Sequence, residues 1–386
     1  MIHKNNKKNL SILSISIGNG GTERVISLLL KKMIEDYNVT LFLFYDIKKF
    51  DVPKEVNSIV LSKGKTLVKP FFFKLVELIQ FTIIYKRLLK KSNIDFAISF
   101  LAFPNLINGF ISIFNKKCTF IISERGFPSL NTTSRLSSLI SKIFYPLLYN
   151  RCSKLFSNSI YINEDLKNNF GVTIPMSVIY NPLEIPASPI IPKFLLNDFR
   201  PFKIISVGAI NTNKNHIMII NAIRKLSNEE ISLSILGEGP LKNELKKDVI
   251  DMGLVDKIGF HGMIDDVGKY LIDHHCFVLS SFTEGFPNAL LEALSFGLPC
   301  ISTNCKSGPL EILNENVPVN IEIGEFVEVK FGILINTNDE IALSKALQFI
   351  LDNPEKREYY SKMGLKRAKY FELNSIYQQF KSFIHS

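Results

Sequence analysis

The sequence predicts an α/β protein built from two doubly wound parallel sheets in tandem. Three observations predict it. Strand-length apolar runs alternate with helical patterns throughout, a proline-rich stretch interrupts the alternation near the middle, and 386 residues suffice for two domains that each bury a core. In the first half LSILSISI (from Leu10), VTLFLFY (from Val39), DFAISFL (from Asp95), CTFIIS (from Cys118) and KLFSNS (from Lys154) read as strands. Residues 24–36 and 134–149 carry helical periodicity between them. Pro182, Pro186, Pro189, Pro192 and Pro201 then fall within about twenty residues, the mark of a semi-rigid linker. After it the alternation restarts, with strands KIISVG (from Lys203), ISLSILG (from Ile231), IGFHG (from Ile258), CFVLSS (from Cys276) and CIST (from Cys300). Helices are predicted near 216–226 and 241–252, from Asn288 onward, over 339–350 and 354–370, and near 375–383. The chain therefore divides into a first domain (1–183), a linker (184–201), a second domain (202–370) and a final helical segment (371–386). In such sheets ligands bind in the crevice at the carboxyl ends of the strands, so two of them facing each other would make a cleft.

Several function classes are excluded at this level. The N-terminus mimics a signal peptide, but its apolar stretch is short, alternates with serine and runs into Gly18. It reads as a first strand. No run approaches the roughly 18 to 20 apolar residues of a membrane span. The five cysteines are scattered, odd in number and without a C-x-x-C pair, as expected of a reduced, cytoplasmic protein. Asp273-His274-His275-Cys276 spells the signature of the DHHC acyltransferases, without the membrane spans and cysteine array those enzymes need. It reads as a helix end entering a strand.

The net charge of +10 is uneven: residues 1–195 carry +14 and residues 196–386 carry −4. A basic half suits an anionic partner. Nucleic acid has no motif behind it. The segment from Lys65 to Lys91, KTLVKPFFFKLVELIQFTIIYKRLLKK, interleaves lysines with Phe71, Phe72, Phe73, Phe81 and Ile83. It reads either as a helix lying on an anionic membrane surface or as a core helix with solvated lysines.

The first strand ends in GNGGTERV. Gly18 and Gly20 have the spacing of a dinucleotide fingerprint, but Glu23 stands where its third glycine belongs, and no acidic residue clearly ends a second strand; NAD is not expected. Gly20 and Gly21 still allow a close backbone approach, and Thr22 opens a helix whose N-terminus favours an anion. No P-loop, HExxH, G-x-S-x-G or Asp-x-Asp metal site appears. In the second half Lys214 follows the strand end Gly208 by six residues, at the start of a helix and in reach of a diphosphate. The strand ISLSILG, ending at Gly237, runs into Glu238-Gly239-Pro240, a second flexible loop. The stretch TEGFPNALLEALSFGLP places Glu284 on a loop, Asn288 at a helix start and Glu292 a turn inside that helix, with Gly297 and Pro299 ending it. Two carboxylates flanking a helix N-terminus suit a ligand with hydroxyl groups on both sides of a diphosphate. A nucleotide sugar is such a molecule.

EGFPNALLEA, with SGPLEIL (from Ser307), VGAINTNKNHIMIINAI, ILGEGPLKNEL, GGTERV and YNPLE, resembles the family 4 glycosyltransferases of the GT-B fold over nearly the whole chain. These are retaining enzymes that use nucleotide-sugar donors. The resemblance implies that Glu284 contacts the donor hexose with the Gly285 and Phe286 backbone beside it. It implies that Asn288, Ala289 and Leu290 stand at the pyrophosphate, Glu292 at the ribose, Lys214 at the diphosphate, Gly237 and Glu238 near the nucleotide, and Met263 at the base. It also implies an acceptor-binding first domain onto which the final helix crosses back, and no metal cofactor. Two departures stand out. Ala209 occupies a position where many members carry a phosphate-binding arginine, and the only histidine before residue 216 is His3, where many members present one to the sugar. Glu124 and Arg125, in ISERGFP, are the candidates for that region, with Arg125 a candidate second cation. The function so implied is retaining transfer of a hexose or N-acetylhexosamine from a UDP-sugar to a polyprenyl-diphosphate-linked saccharide, by a peripheral protein on the inner face of the plasma membrane. A sugar-nucleotide epimerase of similar fold and a non-enzymatic sugar-nucleotide-binding protein are the alternatives.

Overall fold

A computed structural model of the chain describes residues 7–18, 20–62, 71–131, 135–186, 201–226 and 230–386. Most of the expected linker (187–200) and the start of the basic segment (65–70) lie outside the described residues. The chain forms two compact units: Met1–Pro182 with Leu373–Ser386, and Leu183–Glu372.

The first unit holds a seven-stranded sheet in the order β3-β2-β1-β4-β5-β6-β7, every pairing parallel. Its strands are β1 (Lys8–Ser14), β2 (Tyr37–Leu43), β3 (Asn57–Val60), β4 (Phe96–Phe100), β5 (Thr119–Glu124), β6 (Lys154–Ser157) and β7 (Met176–Val178). Connecting them are α1 (Gly21–Asp36), α2 (Phe71–Lys91), α3 (Ala102–Ser112), α4 (Pro128–Asn131), α5 (Arg135–Phe144) and α6 (Ile160–Phe170), with a π-helical turn at Tyr145–Tyr149 after α5. The central strands are buried on both faces, which is why they read as continuous apolar runs.

The second unit repeats the plan, in the order β10-β9-β8-β11-β12-β14-β13. Its strands are β8 (Phe202–Val207), β9 (Ile231–Leu236), β10 (Ile258–Gly262), β11 (Cys276–Leu279), β12 (Cys300–Thr303), β13 (Phe326–Val329) and β14 (Gly332–Ile335). Its helices are α7 (His216–Lys225), α8 (Lys242–Asp251), α9 (Val267–Ile272), α10 (Asn288–Ser295), α11 (Pro309–Asn314), α12 (Glu340–Asp352) and α13 (Pro354–Tyr370). Among the described strands only the edge strand β13 runs antiparallel, as a hairpin with β14. Arg367 ties α13 to the end of α11, donating from Nη2 to the Glu311 carbonyl (2.7 Å) and from Nε to the Ile312 carbonyl (2.9 Å).

The last helix, α14 (Leu373–His385), belongs to the first unit. Ile376, Tyr377, Phe380, Phe383 and Ile384 enter the core formed by α1, β1 and β2. Tyr377 Oη donates to Asp36 Oδ2 at 2.7 Å, and Lys381 Nζ pairs with Asp36 Oδ1 at 2.7 Å.

The strands expected from sequence are present. The structure adds β3, β7, β13 and β14, none of them singled out in the sequence. β3 and β7 are edge strands of four and three residues without a buried alternation, so they carry too little pattern to read. α3 is also new. It contains Pro104 and Gly109, which mimic breakers, and its N-cap Leu101 has φ +75° directly after β4. Gly109 has a packing reason. A Cβ there would stand 2.4 Å from the Leu148 carbonyl oxygen, so α3 and the π-helical turn touch backbone to backbone. Gly109→Ala is expected to destabilise the protein by about 1–3 kcal/mol through overpacking, read as a lower urea midpoint at unchanged m-value.

Candidate active site

The chain order of the second sheet reverses between β8 and β11, and the crevice above their carboxyl ends is where an open parallel sheet takes a ligand. Two loops meet there, 208–215 after β8 and 280–287 after β11. They are zipped together by Asn213. Its Nδ2 donates to the Thr283 carbonyl (2.8 Å), its Oδ1 accepts from the Thr283 N–H (3.1 Å), and its own carbonyl accepts from the Phe282 N–H (2.8 Å). Ser280 Oγ adds a bond to the Lys214 carbonyl at 2.6 Å. This fastening brings the Lys214 Nζ to 2.5 Å from Glu284 Oε1. Ser281 Oγ donates to the same oxygen, also at 2.5 Å. The two side chains are only 22% and 11% exposed, so the pair is screened less than a surface one.

The surrounding glycines are needed for close approach. A Cβ on Gly208 would lie 3.4 Å from Lys214 Cε and 3.5 Å from Cδ, because the lysine stem runs along that glycine. Gly237 has φ +148°, and a Cβ there would stand 1.9 Å from the Gly208 carbonyl oxygen. The loop after β9 is thus pressed onto the loop after β8, and the Ile210 N–H bonds the Glu238 carbonyl at 2.9 Å. The Glu238 carboxylate pairs with Lys242 one helical turn on, at 2.5 Å. Met263, just beyond β10, is exposed.

α10 opens at Asn288 with Pro287 as N-cap, which brings no side-chain acceptor to the first helical N–H groups. Ala289 is partly buried, Leu290 is in the core, and Glu292 is buried inside the helix. Phe286 turns its ring inward, edge-on to Phe371 at 5.5 Å, leaving backbone at the loop surface. The loop after β12 braces this segment: Ser307 Oγ donates to the Glu284 carbonyl, and Thr303 Oγ1 donates to the Ser281 carbonyl at 2.7 Å. Gly308 (φ +88°) lets that loop pass Pro287, where a Cβ would come within 2.6 Å of the proline ring.

The structure corrects one placement. Lys214 does not open a helix but ends a 3₁₀ turn, Thr212–Lys214. Asn211 caps that turn by accepting from the Lys214 N–H, and Asn215 (φ +48°) reverses the chain before α7. Asn213, Ser281, Thr303 and Ser307 were not singled out in the sequence. Their signal is slight, being small polar residues at or just past strand ends.

The first-unit candidates are arranged differently. Gly20 is the N-cap of α1, and the Glu23 carboxylate folds back over it, so that a Cβ on Gly20 would lie 2.2 Å from Glu23 Oε2. Gly21 and Thr22 form the first turn of α1. A carboxylate of the chain itself thus already stands at this helix end. Glu124 and Arg125, at the end of β5, are both buried. Tyr149 Oη donates to Glu124 Oε2 at 3.0 Å, and the Arg125 N–H donates to Glu124 Oε1 at 3.3 Å. The Arg125 guanidinium lies 6.0 Å from the ring centroids of both Phe100 and Phe156, and Nη2 donates to Asn181 Oδ1. It is turned inward rather than presented as a second cation. Burial raises the Glu124 carboxyl to about 7, against the opposing hydrogen bonds and the Arg125 charge.

Residues 189–367 match the family described as Glycosyl transferases group 1. The second unit is a group 1 glycosyltransferase domain. Over 367 residues, 94% of this chain and 95% of the relative, the sequence is 29% identical to a Campylobacter jejuni enzyme. That enzyme is the N-acetylgalactosamine-N,N'-diacetylbacillosaminyl-diphospho-undecaprenol 4-alpha-N-acetylgalactosaminyltransferase. Among solved structures, sucrose-phosphate synthase from Thermosynechococcus elongatus aligns with a TM-score of 0.79 at 15% identity, over 98% of each chain. Anabaena HepE in complex with UDP and glucose aligns with a TM-score of 0.76 at 15% identity, over 98% of this chain and 100% of that one. The fold of the chain is GT-B.

Glu124 makes a pH prediction. An unfolded glutamate titrates at about 4.3, whereas folded Glu124 holds its proton to about 7. The folded state therefore binds more protons between those values, and the contribution of Glu124 to stability falls as pH rises through that window and then levels off. Urea midpoints of wild type and Glu124→Gln should diverge across it. Parallel curves would refute the assignment.

Proposed function

We propose that the protein transfers a hexose or N-acetylhexosamine, with retention, from a UDP-sugar to an undecaprenyl-diphosphate-linked saccharide at the inner face of the plasma membrane. The observation that carries this reading is the Lys214–Glu284 pair at the β8/β11 reversal of a group 1 glycosyltransferase domain, with the start of α10 and Glu292 directly behind it. The acceptor class is taken from the Campylobacter relative, whose length this chain almost fully spans. HepE supports the fold, and its UDP makes uridine the first nucleotide to test.

In this mechanism the donor diphosphate lies at the N-terminus of α10, where the helix dipole favours an anion. Lys214 neutralises charge on the departing UDP, and Glu284 orients the hexose hydroxyls. Glu292 accepts from the ribose hydroxyls. The acceptor hydroxyl attacks C1 from the leaving-group side, the C1–O bond to UDP breaks as the new C1–O bond forms, and a donor phosphate oxygen takes the proton. The protein supplies orientation and charge stabilisation. With Ala209 in place of an arginine, Lys214 is the one cation that this loop brings to the pair.

Glu284→Ala is expected to lower kcat by about 10²–10³, the usual loss of a transition-state contact, while Glu292→Ala mainly raises KM for the donor. A panel of nucleotide sugars with a lipid-linked acceptor, read by product mass, tests both. EDTA should leave the rate unchanged. Near-normal turnover by Glu284→Ala would sink the assignment.

Asn213→Ala should loosen the zipper without removing a group from the donor. It is expected to lower kcat about tenfold, as positioning losses do, and Asn213→Asp should rescue less than half of that, because a carboxylate cannot donate to the Thr283 carbonyl. Full activity in Asn213→Ala would show the zipper to be dispensable.

A further inference from the structure

The loop after β11 carries an aromatic ring that the donor chemistry does not use. Phe282 is 39% exposed, and among the described phenylalanines of the second unit it is the only exposed one. Phe286, four residues on, turns its ring in against Phe371. Ser280 and Ser281, just before Phe282, are buried, and Ser281 Oγ reaches the Glu284 carboxylate. The loop thus comes to the surface at Phe282, two residues from Glu284 and bonded through its N–H to the residue before Lys214. Its ring stands at the rim of the crevice.

A single exposed apolar side chain is ordinary on a protein surface. Phe282 is distinguished by the backbone that holds it. Its N–H donates to the Asn213 carbonyl at 2.8 Å, and the Ser281 carbonyl before it accepts from Thr303 Oγ1 at 2.7 Å. Thr283 after it is bonded at both N–H and carbonyl by the Asn213 side chain. A ring with two rotatable bonds on so fixed a backbone loses little freedom when a ligand covers it. Among the described residues the ring meets no other aromatic ring and no cation.

We infer that Phe282 is the platform for the acceptor's terminal sugar, its ring face stacking on the C–H face of an N-acetylhexosamine. A diphosphate and a ribose separate the base of a nucleotide sugar from its hexose, so a ring beside Glu284 is out of reach of the base. The donor hexose lies at the mostly buried Lys214–Glu284 pair in the proposed reaction. The acceptor hydroxyl attacks C1 from the leaving-group side, so its sugar meets the crevice from the rim, where Phe282 stands. A pyranose offers one patch of C–H bonds and a border of hydroxyls. The electron-rich ring face covers the patch and leaves the attacking hydroxyl free, while sugars with an axial hydroxyl in that patch stack poorly. Phe282 therefore selects which saccharide is extended. The inference rests on the proposed function for the acceptor being a saccharide.

The chain contains no tryptophan, so Phe282→Trp places a single indole at the platform. Its emission is titrated with UDP alone, and then with the methyl glycosides of N-acetylgalactosamine and N-acetylglucosamine in the presence of UDP. A saturable change with at least one glycoside, and none with UDP alone, is expected. In turnover with a lipid-linked acceptor, Phe282→Ala should raise the acceptor KM about tenfold, the loss of one stacked ring, and leave the donor KM unchanged. Phe282→Tyr should keep the wild-type values, and Phe282→Leu, apolar but without a ring face, should behave as Phe282→Ala. A merely structural role would move the donor KM as well, because the bonds to Asn213 hold Lys214 and Glu284 too. Emission that answers UDP and neither glycoside, a donor KM that rises with the acceptor KM, or wild-type behaviour of Phe282→Leu would overturn the inference. Failure of the wild type to transfer sugar from any donor counts against the proposed function, while the indole titration still reads the platform. An indole that answers neither glycoside in a variant that transfers sugar does the reverse.

Discussion

The organisation of the second unit's crevice depends on one contact, the double hydrogen bond between the Asn213 side chain and the backbone of Thr283. Parallel strands deliver their loops to the same edge of a sheet but do not align them. Asn213 supplies that alignment by offering a donor and an acceptor at the spacing of a peptide group, so that the loop after β11 pairs with a side chain as it would with a strand. Lys214 is the next residue and Glu284 follows Thr283, so fastening one pair of residues places the next. Ser281 and Ser307 then hold the carboxylate and the carbonyl of Glu284 from two further directions.

The electrostatics of the crevice follow from this arrangement. Lys214 meets a carboxylate at hydrogen-bond distance in a mostly buried setting, so its charge is already compensated in the free protein. In the proposed reaction a diphosphate at α10 would compete with Glu284 for the lysine and release the glutamate toward the hydroxyls beside it. That exchange would link charge neutralisation of the leaving group to orientation of the sugar. Gly208 makes it possible, since the lysine stem runs along the space a Cβ would occupy.

The first unit solves a different problem. Glu124 and Arg125 are buried side by side, which costs desolvation for both. The cost is met by Tyr149, the Arg125 N–H, Asn181 and two phenylalanine faces. Asn181 precedes Pro182, where the chain leaves the unit, so this buried polar group also secures the exit strand. Outside it, the helices turn apolar side chains to the surface, on the part of the chain that has the most positive charge.

What the sequence alone determined is whatever short-range pattern carries. Central strands buried on both faces are written as continuous apolar runs, so most of them were legible along the chain; β14, interior and buried but only four residues long, was not. The loop-to-helix change between Glu284 and Glu292 was legible, because Gly285, Pro287, Gly297 and Pro299 punctuate it locally. The edge strands β3 and β7 were not legible, being too short and too exposed to carry a period, and α3 was hidden by Pro104 and by a glycine kept for backbone contact with Leu148. Tertiary structure alone decided which side chains meet. Lys214 and Glu284 are 70 positions apart, and nothing in either neighbourhood announces an ion pair. Arg125 reads as a free cation in sequence, and only the fold shows it enclosed by residues 100, 156 and 181. Distances of that kind follow from strand order, which is set by how the sheet packs and not by the spacing of residues along the chain.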